Sequence, residues 1–293
     1  MTLQQLRYIT AIADASSFAQ AAQVVGVTQP TLSAMVRKLE LELGTTLFDR
    51  STKPVTVTEV GQVVITRARK VLAEAESISQ AIAEAKQSLS GPLRLGILPT
   101  IAPYLLPLFL RDFVKNYPKL ELVIQELKTG EIVPRLHDGR LDIGILATPH
   151  EKVQGLDVEP LFGESFYAYA KTPTSKKYLL AEDIDPDELW VLEEGHCFGD
   201  QVLDLCALSR TSHSLHYVSG SIDTLKRLVE AQGGITVLPE LALRSLSKRE
   251  LKLTRPFAPP TPKRTVSLIT RTDYVRTQVT KVLAKAVKEA VDK

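Results

Sequence analysis

Apolar residues at Leu3, Leu6, Ile9, Ile12 and Ala13 recur at the spacing of one helical face. The next run, SSFAQAAQVVG, continues the pattern, with Ala21, Ala22, Val24 and Val25 on its apolar side. Ser17 followed by Gln20 has the form of a capping box, and Gly26 suits the position after a helix end. A third helix follows at once in QPTLSAMVRKLELELG. Thr28 is its N-cap and Pro30 sits in its first turn, where a missing N–H does no harm. Leu32, Met35, Val36, Leu39 and Leu43 form its buried stripe, which Gly44 ends. Two short helices across a tight turn, the second opening on small polar residues, read as a helix-turn-helix. The stretch TTLFDRSTKPVTVTEVG reads as a two-stranded wing anchored by Phe48.

That arrangement suggests DNA chemistry. Thr28, Gln29, Thr31 and Ser33 can reach base edges in a major groove, and glutamine in particular pairs with adenine. Arg37 and Lys38 lie further along and suit phosphates; Arg50 and Lys53 of the wing point toward a second phosphate track. Charge adds little, since residues 1–58 carry five Lys or Arg against four Asp or Glu. Helix-turn-helix geometry also occurs in bundles that bind no DNA, so both readings stay open on spacing alone.

Residues 61–89 contain no proline and no internal glycine. Ala68, Val71, Ala75, Ile78, Ile82, Ala85 and Leu89 alternate at spacings of three and four, and Val64 extends the seam upstream. The pattern predicts a helix of about 40 Å. Its stripe could bury against its own domain, but a sustained heptad seam favours a partner helix, most simply a second copy of this chain. SGP at 90–92 breaks it.

Beyond the break the period changes. PLRLGILPT, LELVIQELKTG and LDIGILAT read as strands separated by helices in APYLLPLFLRDFVKNYP and EIVPRLHDGR. The alternation recurs in LWVLEEG, FGDQVLDLCALS, HYVSG, SIDTLKRLVEAQGG and ITVLP. It predicts two α/β lobes with parallel sheets facing a ligand cleft, and a C-terminal helix over roughly 273–293 that packs on the first lobe. The organisation is thus a winged helix-turn-helix over 1–60, a linker helix over 61–90 and a two-lobed α/β domain over 91–293. Thr100 and Thr129 each follow a strand and precede a helix, where open α/β sheets bind ligands. The plainer reading is that both are N-caps.

Composition narrows the class. At 293 residues, 44% apolar and 24% charged, the chain is globular and long enough for two domains. The net charge of +2 argues for no particular partner. No signal peptide and no uninterrupted apolar run of membrane-spanning length is apparent, so a cytoplasmic location with reduced thiols is expected. Two cysteines, Cys197 and Cys206, lie in EEGHCFGDQVLDLC. In such a compartment they are inert, catalytic or redox-sensing.

The order of parts resembles the LysR-type transcriptional regulators over essentially the whole chain, and TQPTLSAMVRKLELELGTTLFDR is similar to that family's recognition helix and wing. GILPTIAPYLLP, EEGHCFGDQ with Cys206 downstream, and GGITVLP resemble the hydrogen-peroxide-sensing OxyR group within it. The resemblance implies a regulatory domain like the periplasmic binding proteins, with Cys197 as the peroxide-reactive thiol and Cys206 as the resolving one. It places Thr100, Thr129, His196 and Asp200 around the pocket, Arg264 of KRTVSLITR near the reactive sulfur, and Gln29 and Ser33 on DNA. It implies double-stranded DNA, a second copy of the chain in dimers and tetramers, RNA polymerase, hydrogen peroxide and a cytosolic dithiol reductant as partners. No cofactor, metal or enzymatic activity is expected. Gly199 departs from relatives that carry a basic residue there.

Chemistry then makes the cysteine spacing meaningful. A thiol attacks peroxide as thiolate, so the helix start near Cys197, His196 and Arg264 are the candidate stabilisers. If 198–206 is helical, nine residues separate the Cα atoms by roughly 13 Å. A disulfide needs about 7 Å or less, so oxidation must remodel the segment. Three other readings compete: buried thiols in a metabolite-responsive regulator, a thiol peroxidase, and a zinc site of His196, Cys197, Cys206, His213 and His216. The zinc set lacks close ligand pairs such as Cys-x-x-Cys, and the helix-turn-helix argues against the enzyme.

Overall fold

The computed structural model describes residues 1–148, 154–172, 176–192, 202 and 221–293. The chain divides into one unit of Met1–Lys86 with His137–Arg140 and another of Gln87–Leu136 with Leu141–Lys293.

In the first unit, α1 (Leu3–Ala15), α2 (Phe18–Val24) and α3 (Gln29–Leu43) start where side-chain oxygens satisfy the orphan amides of the first turn. Thr2 closes a full capping box with Gln5, whereas Ser17 makes only its own half, accepting from the Gln20 amide. Thr28 accepts from the Thr31 amide, and Gly44 ends α3 at a φ of 66°, the left-handed turn that glycine tolerates. Leu6, Ile9, Ile12, Ala21, Ala22, Leu32, Val36 and Leu39 share one core with Leu47, Phe48 and Ile65. Three stripe positions fall outside it: Leu3, Val24 (78% exposed) and Leu43 lie on the surface. Leu43 sits in the last turn of α3, and Glu40 takes the buried position one turn earlier. The wing forms as β1 (Phe48–Asp49) and β2 (Thr56–Val57), antiparallel, with Phe48 edge-on to Phe18 at 5.8 Å.

The linker helix α4 runs Glu59–Ala85, capped by Thr58. Its seam divides. Ala68 is buried and Val64 half-buried in the winged domain's own core, while Val71, Ile78 and Ile82 stand exposed. The helix ends before Leu89, which packs into the core of the second unit instead of extending the seam.

The second unit is built on a seven-stranded sheet ordered β4-β3-β5-β9-β6-β7, with β8 also paired to β6. The strands are β3 (Gly91–Ile97), β4 (Leu120–Glu126), β5 (Ile143–Thr148), β6 (Leu156–Ala170), β7 (Ile235–Pro239), β8 (Thr254–Pro256) and β9 (Lys263–Arg271). Among the described strands, β4-β3 and β3-β5 pair parallel, while β9, β6, β7 and β8 enter through antiparallel pairings. The three strands expected of the first lobe pair parallel as their alternation with helices suggests, whereas the antiparallel β6, β8 and β9 carry no such signal. The long strand β6 serves both lobes, its first ten residues against β9 and its last five against β7 and β8. The expected strand at LWVLEEG reduces, among its described residues, to one bridge between Leu189 and Ile235. The helix and strand expected over 198–209 and 216–220 lie outside the described residues, apart from the helical, buried Val202.

Helices cover the sheet: α5 (Ala102–Asn116), α6 (Thr129–His137), α7 (Ile222–Gln232), the short α8 (Glu240–Leu243) and α9 (Lys248–Leu251), and α10 (Thr277–Val291). The terminal helix starts four residues later than the patterning suggests and packs on α5 and β6. Gly96 of β3 faces Gly144 of β5 in register. A Cβ on either would sit within 3 Å of Leu141 or Ile132, so the glycines let α6, which opens on Thr129, lie close on the sheet. Among the described residues, no helix is long and apolar enough to cross a membrane.

Candidate DNA-binding surface and sensing pocket

The start of α3 presents the polar set as one patch. Thr28, Gln29 and Thr31 are exposed, with the Thr28 and Thr31 hydroxyls 2.9 Å apart. Gln29, Ser33 and Arg37 follow at i, i+4 and i+8 and so share a face of the helix. Arg37 and Lys38 are exposed further along it, and Lys53 is exposed in the wing turn. Arg50 is exposed as well, and its guanidinium is also engaged within the domain. It lies 2.9 Å from Glu40 Oε2, donates to Ser33 Oγ at 3.1 Å and sits 4.7 Å from the Phe18 ring centre. The reason is Glu40, a carboxylate 8% exposed whose other oxygen accepts from the Leu47 amide at 2.8 Å. A buried carboxylate without a cation is costly, so the nearest arginine pairs with it. Glu40 carries a signal that sequence reading overlooked: an acid one turn past Val36 on the apolar face of α3 needs a partner.

In the second unit, Thr100 and Arg264 come together although 164 residues separate them. Arg264 Nη1 donates to Thr100 Oγ1 and Nη2 to the Thr100 carbonyl, both at 3.2 Å. Its Nε donates to Glu164 Oε2 at 2.7 Å, and the two side chains are only 1% and 2% exposed. Strand pairing builds this contact, since Glu164 of β6 and Arg264 of β9 are directly opposed. The second oxygen of Glu164 accepts from the Leu241 amide at the start of α8. Arg264 is therefore half of a neutral ion pair that holds Thr100. Burial first, and then the Asp223 carboxylate 3.4 Å from its hydroxyl, push the nearby Tyr104 phenol above its ordinary range, so it stays protonated.

Thr100 is not the N-cap of its helix. The N-cap of α5 is Ile101, and Thr129 is the first residue of α6, where the Glu131 side chain accepts from the Lys128 amide instead. The pairing of Ile97 with Glu126 brings the loops after β3 and β4 to the same end of the sheet, so Thr100 and Thr129 both border its carboxyl edge. A cavity of about 420 Å³ beside Glu164, Tyr167, Glu240 and Arg244 has neither threonine nor Arg264 in its wall. His196, Cys197, Gly199, Asp200 and Cys206, with His213 and His216 of the zinc alternative, lie outside the described residues. Sequence reading missed Glu164, which sits in a strand whose sequence holds Pro160 and Gly163 and carries no local sign of its distant partner.

Residues 3–62 match the family described as bacterial regulatory helix-turn-helix protein, lysR family, and residues 86–292 match the LysR substrate binding domain. The chain is 34% identical over 295 residues to the dual regulator OxyR of Escherichia coli, covering 100% of this chain and 96% of that protein. A full-length cysteine-to-aspartate variant of OxyR from Pseudomonas aeruginosa superposes with a TM-score of 0.81 at 35% identity, covering 98% of both chains. A cysteine-to-serine variant of Corynebacterium glutamicum OxyR with hydrogen peroxide bound superposes at 0.64 and 32% identity, covering 99% of this chain and 92% of that one.

Proposed function

Because this chain belongs to the LysR family of transcription regulators, we propose that it binds double-stranded DNA as a dimer and senses hydrogen peroxide through Cys197. The observation that carries this reading is full-length likeness to relatives named for hydrogen peroxide, one of them solved with peroxide bound. In this reading the Cys197 thiolate attacks one peroxide oxygen. The O–O bond breaks, and the second oxygen leaves as hydroxide and takes a proton to become water. Cys197 becomes a sulfenic acid, which the Cys206 thiol converts to a disulfide with loss of a second water.

The chain's own residues supply positioning. Thr100 accepts from Arg264 and keeps its hydroxyl proton to donate to a peroxide oxygen. Thr129 borders the same edge. Thr129→Val should slow oxidation several-fold while leaving the final disulfide yield intact; stopped-flow oxidation at equal peroxide checks this, and an unchanged rate removes Thr129 from the pocket. Disulfide formation then remodels the segment between the cysteines. That change re-spaces the two DNA-binding domains, alters contact with RNA polymerase and is reversed in the cytoplasm by a dithiol reductant.

Dimerisation is assigned to α4, whose exposed Val71, Ile78 and Ile82 present the unpaired half of the seam. Ile78→Glu should shift sedimentation toward monomer and weaken binding to a two-half-site duplex at least tenfold. A full dimer in that variant would move the interface elsewhere. The whole reading is tested by footprinting one promoter duplex before and after peroxide. A footprint that changes and reverts with dithiol supports it, and one that peroxide leaves unaltered overturns it.

A further inference from the structure

We propose that Arg50 and Glu40 are positioning residues for sequence recognition: they fix the Ser33 hydroxyl of α3 as a hydrogen-bond donor, so that it selects an acceptor on a base edge. The inference rests on the DNA-binding reading above. A serine hydroxyl on a recognition helix is ambiguous, since it can donate or accept and discriminates bases poorly. Here the ambiguity is removed. Arg50 Nη1 approaches Ser33 Oγ at 3.1 Å and, having no acceptor capacity, can only donate to it. A helical hydroxyl often turns its own proton back to the carbonyl four residues earlier, as Thr10 does to Leu6 and Thr66 to Gln62. Ser33 makes no such bond to Gln29, and its proton remains available on the face it shares with Gln29 and Arg37.

The clamp is rigid because each member is held twice. Glu40 takes the Leu47 amide on one oxygen and Arg50 on the other. Arg50 is further seated over Phe18, which itself packs on Phe48 of the wing. The guanidinium fork suits two partners at once, which a lysine ammonium on a flexible stem does not reproduce. Ser33 is thereby set to read purine N7, guanine O6 or thymine O4, and to reject the amino groups of cytosine and adenine.

The test begins with selection of a preferred site by the full-length wild type from a randomised double-stranded DNA pool. Binding to that site and to its single-base variants is then measured for wild type, Ser33→Ala, Arg50→Lys and the double variant. Both single variants should lose about 3- to 10-fold of discrimination at the same base pair, the worth of one neutral hydrogen bond. The double variant should lose no more than either, and Ser33→Thr should restore the preference. Because lysine keeps the charge, the salt dependence should not change. Additive losses, or full discrimination in Arg50→Lys, overturn the proposal. So does an even loss of affinity across all sequences, which marks Arg50 as a phosphate contact. Should Arg50→Lys fail to fold, Glu40→Gln takes its place in the same cycle, with the same outcomes. A wild type that enriches no sequence would instead defeat the DNA-binding reading itself.

Discussion

Glu164→Gln is expected to lower the folding stability of the regulatory domain by about 3–5 kcal/mol, because it leaves the Arg264 guanidinium buried without its counter-charge. The pair is nearly sealed from water, and Glu164 also accepts the Leu241 amide, so little relaxation is open to it. Urea denaturation of the full chain, followed at the transition of the second unit, measures the loss. Removing both charges together, as Glu164→Met with Arg264→Met, should recover most of it, since an apolar pair of similar volume needs no compensation. The double variant carries the functional content. It keeps the fold but loses the two hydrogen bonds that hold Thr100, so peroxide should oxidise its thiols markedly more slowly. A double variant that is stable and oxidises at the wild-type rate would separate the ion pair from sensing. A single variant that loses less than about 1 kcal/mol would contradict the burial of the pair.

Cys197→Ser is expected to abolish the response to peroxide altogether while leaving reduced-state DNA binding intact. In the proposed mechanism the substitution removes the thiol that attacks peroxide and becomes the sulfenic acid. The surface of α3 proposed to meet DNA belongs to the other unit of the chain. Cys206→Ser should differ: the sulfenic acid still forms, but no intramolecular disulfide follows. Gel-shift titrations on one duplex, with and without peroxide, distinguish the three proteins. A normal peroxide response in Cys197→Ser would defeat the mechanism, and the metabolite-binding reading would take its place.

Local signals made the winged domain legible. Ser17, Thr28 and Gly44 state the helix ends within a few residues of where they act, and the hydrogen bonds found at those ends are the ones their chemistry calls for. The heptad seam of α4 was legible as a stripe but not as two stripes. Its upstream part contacts Ile65 and the first core, and nothing in a linear pattern tells an intramolecular partner from a second chain. The sheet was harder. Its parallel strands follow from strand–helix alternation, but β6 runs through Pro160 and Gly163, residues that argue against a strand, and carries no clear strand pattern. The antiparallel order around β9 depends on pairings more than 90 residues apart in sequence. The ion pairs show the same limit. Glu40 and Arg50 are ten residues apart and could have been joined by asking what a buried acid needs. Glu164 and Arg264 meet only because two strands align, so the sequence offered Arg264 as a lone cation, and the structure shows it neutralised.

Cys197 and Cys206 are proposed to form a peroxide-driven pair. Mass spectrometry of free thiols, on purified reduced protein before and after about one equivalent of hydrogen peroxide, tests it most directly, since attack by one thiolate and condensation with a second thiol take one peroxide per disulfide. Loss of both thiols, with a peptide cross-linked between Cys197 and Cys206 that is missing in Cys197→Ser, is the predicted result. Two unreacted thiols after minutes of exposure would contradict it and leave the cysteines as packing residues.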